Sequence, residues 1–117
     1  MNSIGLLKQD FRHWAQVEQL SADSGMLSLF FKNKAFRSVA YYRMRRSGLV
    51  LRVVQRILRI LLPEQECLYI KTSQIGGGLY IQHGFATIIT AESIGKNVWI
   101  NQQVTIGYNG DKAPIIG

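Results

Sequence analysis

His83 is one of two histidines in the chain. It sits in the run Ile81-Gln82-His83-Gly84, and a second polar run, Asn101-Gln102-Gln103, lies further on. An imidazole titrates near neutral pH and can take a proton from a hydroxyl as a general base. Carboxamides beside it can donate and accept hydrogen bonds to a small polar acceptor. From residue types alone two readings stand level: base-assisted attack by a hydroxyl, or a histidine whose ring nitrogens are satisfied by the neighbouring amides. For either, something must bring the two runs side by side.

The element that can do so is a repeat of six residues. Ile75 and Ile81 share one phase and Ile88, Ile94, Ile100 and Ile106 a second, so one residue is inserted between Ile81 and Ile88. The fifth place of each six is apolar too, at Leu79, Phe85, Val98 and Val104. Such a period fits neither a helix nor a simple alternating sheet. It fits a coil of short parallel strands, isoleucine inward on each face, with Gly76, Gly95 or Gly107 turning the corner. Three sixes make a coil of about 18 residues, stacked at roughly 4.8 Å. On that arithmetic Gln82 stacks on Asn101, His83 on Gln102 and Gly84 on Gln103, with the glycines at 76–78 at the rim. His83 is then the catalytic candidate, and Gln82, Asn101 and Gln102 are the substrate-binding candidates.

The preceding segment, residues 1–65, reads as helical. Ser3 is a candidate cap for a helix from about Gly5 to Leu20, with Leu7, Phe11, Trp14 and Val17 as its apolar stripe. His13 reads as a boundary residue. After a break over Ser21 to Gly25, a second helical stretch runs from Met26 to Arg46, bent near Asn33. Its aromatics fall at helical spacing beside basic residues, which makes a core stripe with a solvated basic face and sets nucleic acid aside. The third helix, Leu49 to Leu62, carries Arg52, Arg56 and Arg59 as one stripe among apolar residues and ends at Pro63. Packing of its broad apolar face against the coil or a partner subunit is the expectation, and peripheral contact with an anionic membrane through 49–62 is the alternative.

The hydrophobic share of 47% suffices for a core. The net charge of +7 lies wholly in residues 1–65, since Lys71, Lys96 and Lys112 are offset by Glu66, Glu92 and Asp111. Cys67 is the only cysteine, so no internal disulfide or cysteine-built zinc site is available; it is expected to be a buried thiol, and no metal is expected. No secretory signal is legible in Met1 to Gln9, and no uncharged apolar run reaches about 18 residues. A cytoplasmic location is expected.

The run Ile75-Gly-Gly-Gly-Leu-Tyr-Ile-Gln-His83-Gly, then Ile94-Gly-Lys-Asn-Val, Gln103-Val-Thr-Ile-Gly107 and Ala113-Pro-Ile-Ile-Gly117, resembles the serine acetyltransferase family of hexapeptide-repeat acyltransferases. The likeness covers about Leu68 to Gly117. It implies an α+β chain in which the helical segment precedes a left-handed parallel β-helix over residues 66–117, homotrimeric, with acetyl-CoA between neighbouring coils. It further implies that His83 deprotonates the acceptor hydroxyl and that Gln103, Thr105 and Gly107 bind the cofactor. Three positions depart from the serine-specific pattern: Gln82 and Leu68 stand where the family has acids, and Ala113 where it has a second histidine. Relatives that acetylate sugars in surface-polysaccharide synthesis match better around the histidine. The function expected is therefore O-acetyl transfer to L-serine or a sugar hydroxyl, with a non-catalytic scaffold subunit as the competing reading. The repeat is also expected to be incomplete at its C-terminal end, since stacks of this kind need about three or more units.

Overall fold

The computed structural model describes residues 3–20, 25–107 and 110–117. Its first helix, α1 (Ser3–Val17), carries the expected stripe: Trp14 is fully buried, and Leu7, Phe11 and Val17 pack beside it. Ser3 lies inside this helix, and its hydroxyl donates to the Arg46 carbonyl at 3.3 Å. The expected break after Leu20 lies, but for Gly25, outside the described residues. The aromatic stretch is two helices, α2 (Met26–Lys32) and α3 (Lys34–Arg45). Asn33 separates them because its backbone is extended while its side chain accepts from Phe36 N at 3.0 Å, capping α3. Helix α4 (Leu49–Leu61) ends just before Pro63, whose ring cannot continue a helix.

The described residues then form seven short strands, β1 (Leu68–Ile70), β2 (Tyr80–Ile81), β3 (Thr87–Ile89), β4 (Ser93–Ile94), β5 (Trp99–Ile100), β6 (Thr105–Ile106) and β7 (Ile115–Ile116). All pair in parallel, in three small sheets ordered β1-β3-β6, β2-β5 and β4-β7. The left-handed parallel β-helix expected over residues 66–117 is corrected by this finding. The strands, two or three residues each, belong to a small α+β domain with four helices among the described residues. A uniform coil of sixes also needs a constant distance between partners. Here Tyr80 pairs with Trp99, Ile88 with the nearer Thr105, and Ser93 with the more distant Ile115.

Ile75, Ile81, Ile94 and Ile100 are buried as expected, but at Ile88 the inward register is corrected by one place. Ile89 is fully buried against Ile70 and Ile106, while Ile88 points outward at 39% exposure. Side chains alternate along a strand, so the buried Thr87 and Ile89 leave Ile88 on the other face. Phe85 is half exposed, and Cys67, expected buried, is exposed.

One apolar cluster joins helices to strands: Trp14, Phe36 and Tyr42 pack with Ile75, Leu79, Ile81 and Ile89. Trp14 donates to the Leu79 carbonyl at 2.8 Å and Tyr42 to the Thr72 carbonyl. His13 Nδ1 donates to the Gly78 carbonyl, so this boundary histidine is tied to the strand region. The basic face expected on α3 is not wholly solvated. Arg37 and Arg43 are buried, with their guanidinium groups spent on Phe30, Phe31, Pro63, Ile75 and Gly76 carbonyls and on Asp10.

Candidate functional site

His83 owes its position to a local mismatch in chain length. Ile81 pairs with Ile100, and Gln82 N donates to the Ile100 carbonyl at 2.8 Å. Pairing resumes where Gln103 N donates to the Phe85 carbonyl at 2.9 Å. Between these bonds Gln82–Phe85 stands opposite Asn101 and Gln102 alone, so two extra residues must bulge outward. Gly84 N closes back on the Gln82 carbonyl at 2.8 Å, and His83 sits between them at φ 67. Three-residue turns of this hand are rare and strained, and such strain gathers at working sites. The expected stacking is thereby corrected: Gln82 lies beside Asn101, but continuing the β3–β6 register sets Ala86, not Gly84, against Gln103.

The exposed His83 ring lines two clefts. One, of about 420 Å³, is bounded by Gln82, His83, Asn101, Gln102 and Gln103. The runs singled out in the sequence are thus brought together. Trp99 Nε1 donates to Gln82 Oε1 at 3.2 Å, which orients that amide and leaves its NH₂ as a donor. The other cleft, of about 500 Å³, adds Glu18, Lys32, Asn33, Lys34, Ala35, Gln65 and Tyr80 to Gln82 and His83. Glu18 accepts from the Tyr80 hydroxyl at 2.9 Å, and burial, then this bond, pushes the phenol up to about 12. Lys34 donates to Glu66 at 2.9 Å and holds that carboxyl below its usual range.

Glu18, Lys34 and Gln65 were not among the sequence candidates. They come from the end of α1, the start of α3 and the approach to β1, and no local spacing links them to His83. Asn33 marks its wall by the break it makes between helices, the one sequence signal that points there.

Other expected site residues are placed differently. Thr105 and Gly107 are exposed further along the β6 segment and line neither cleft, so Gln103 alone of the three cofactor-binding candidates borders His83. Leu68 does reach the histidine turn: a Cβ on Gly84 would lie 3.2 Å from Leu68 Cδ2. The position of the family's acid is therefore adjacent, filled by a leucine. Ala113 borders a cleft with Lys71, Glu92 and Lys112, which shares no lining residue with the His83 clefts. Among the described residues, no group of three acidic, histidine or cysteine side chains could hold a metal ion, and no ring nitrogen of His83 has a hydrogen-bond partner.

No family model, no curated protein and no solved structure matches the chain.

Proposed function

We propose that the chain is an O-acetyltransferase, moving an acetyl group from acetyl-CoA to a hydroxyl of a small polar acceptor with His83 as the general base. The observation that supports this reading is that one exposed imidazole borders two clefts at once. Direct transfer needs the acceptor oxygen within reach of both the base and the thioester carbon, and the two clefts meet at Gln82 and His83. The acceptor oxygen attacks the thioester carbonyl carbon, its proton passes to the His83 ring, and the carbon–sulfur bond breaks. The proton then leaves with the thiolate as the free thiol, and the acetyl ester remains on the acceptor.

A sugar hydroxyl is proposed ahead of L-serine. The two positions where the serine-specific pattern has acids are Gln82 and Leu68, and an amide suits a hydroxyl-rich ligand better than an ammonium group. Glu18, in the cleft with His83, is the nearest substitute carboxylate by lining, although it already accepts from Tyr80. Gln103 fits the edge where a donor would enter. The resemblance to serine acetyltransferases adds a homotrimer and a cytoplasmic location to the proposal. No described helix is long and apolar enough to cross a membrane.

The test is thiol release from acetyl-CoA with L-serine and a panel of sugars, repeated with His83→Asn. Asparagine tolerates the left-handed backbone at this position. Turnover with a sugar and a loss of about 10² to 10⁴ in the variant are expected. Turnover that His83→Asn leaves unchanged, or no release above hydrolysis with any acceptor, rejects the proposal. The second outcome favours a non-catalytic scaffold, a reading supported by the lack, among the described residues, of a group orienting the His83 ring.

A further inference from the structure

We infer that α4 docks this chain on an anionic bilayer surface, its apolar face lying in the interface and its arginines at the lipid phosphates. The helix turns little of itself toward the protein. Gln55 is buried, Leu51, Leu58 and Leu62 are half-buried, and at 3.6 residues per turn these four share one face. Leu49, Val50, Val53, Ile57, Ile60 and Leu61 fall on a contiguous arc away from it and are exposed, Ile60 to 82%. The expected packing of this broad face against the strand region is thus not made among the described residues. Scattered exposed leucines are ordinary, but a contiguous arc of this breadth marks an interaction surface.

Three further observations select the occupant. Arg52, Arg56 and Arg59 lie along one border of the arc, between it and the protein-facing side. Arg59 is paired with Glu64 at 2.8 Å, whereas Arg52 and Arg56 make no ion pair among the described residues. Exposed apolar side chains also occur on α2. The Arg37 guanidinium donates to both the Phe31 and the Pro63 carbonyls, which sets α2, with Leu27 and Phe31 exposed, beside the end of α4. Finally, all of the net charge of +7 belongs to residues 1–65, the segment that contains this face. An apolar arc bordered by arginines, two of them without an ion pair among the described residues, is the chemistry of an anionic lipid interface.

The helix is about 20 Å long, too short for a bilayer core of about 30 Å, so it lies on the surface. A second copy packed antiparallel on this face would bring the two arginine stripes onto the same side of the seam, where they repel. The inference does not depend on acyl transfer.

The test is sedimentation of the whole chain with vesicles of phosphatidylcholine, alone or mixed with phosphatidylglycerol. Binding to mixed vesicles at low salt, weakened by added salt, is expected. Arg52→Gln and Arg56→Gln should each lower partitioning about fivefold. The exposed pair Ile57→Asp and Ile60→Asp should abolish it, with circular dichroism unchanged. Failure to bind mixed vesicles at low salt overturns the inference, as does undiminished binding by the double aspartate variant. Self-association that this variant abolishes, without any vesicle binding, overturns it in favour of a second copy.

Discussion

Arg43 on α3 meets Asp10 on α1 in a two-point ion pair, Nε to Oδ2 at 2.7 Å and Nη2 to Oδ1 at 3.0 Å, with both side chains essentially out of solvent. Each partner also grips the same stretch of strand-region backbone. Arg43 donates to the Ile75 and Gly76 carbonyls at 2.8 Å, and Asp10 accepts from Gly78 N at 2.9 Å and Leu79 N at 2.8 Å. Removing one member strands a buried charge, so Asp10→Ala is expected to cost about 3–5 kcal/mol in urea unfolding. Asp10→Ala with Arg43→Met should cost less than the sum of the two single changes. A single-variant loss under about 1 kcal/mol would show that the pair does not hold the helices to the strands.

Gly76 lies too close to the next strand line for a side chain. A Cβ there would stand 2.9 Å from the Gly95 carbonyl carbon, a backbone atom that cannot swing aside. A Cβ on Gly107 would meet nothing within 4 Å. Gly76→Ala is therefore expected to destabilise by about 1–3 kcal/mol, and Gly107→Ala to stay within about 0.5 kcal/mol of the parent. Thermal melts of the two variants side by side check the contrast, and equal melting temperatures would contradict it.

Tyr80 makes the alkaline limit of stability predictable. Burial first, and the bond to Glu18 second, push its phenol up to about 12 from an ordinary 10.0. A group whose folded pKa is raised contributes stability that is whole below its unfolded value and is lost as pH climbs through the folded one. The advantage of the parent over Tyr80→Phe should accordingly hold at neutral pH and fade between about pH 10 and pH 12. Tyr41 and Tyr42 are shifted upward too, mainly by burial, which is why the difference between the two proteins is the quantity to measure. A difference that is flat across this window contradicts the assignment.

Asn33 both ends α2 and caps α3, so its replacement acts on one wall of the His83 cleft. Asn33→Ala should lose about 0.5–2 kcal/mol, whereas Asn33→Asp should keep most of the capping. Chemical denaturation of the pair distinguishes them. Equal loss in both would mean that the side-chain bond to Phe36 N is not what stabilises this junction.

The sequence by itself determined the elements whose signals are local. The stripe of α1, the bend near Asn33, the stop at Pro63 and the recurrence of isoleucine every six residues are all written in neighbouring residues, because period and capping depend on them alone. The same repeat was enough to bring Gln82 and His83 beside Asn101, Gln102 and Gln103. Only the tertiary structure decided the rest. Two extra residues at Gln82–Phe85 broke the constant spacing that a regular β-helix needs and turned His83 outward at their tip, while strand alternation made Ile89 the buried residue in place of Ile88. Glu18 reached the His83 cleft, and Asp10 reached Arg43, across long stretches of chain. Such meetings leave no local trace, because a buried charge is placed by whichever partner packing delivers to it. The apolar arc of α4 shows the converse: its composition was plain in the sequence, but that it faces outward is a consequence of which side the core could accept.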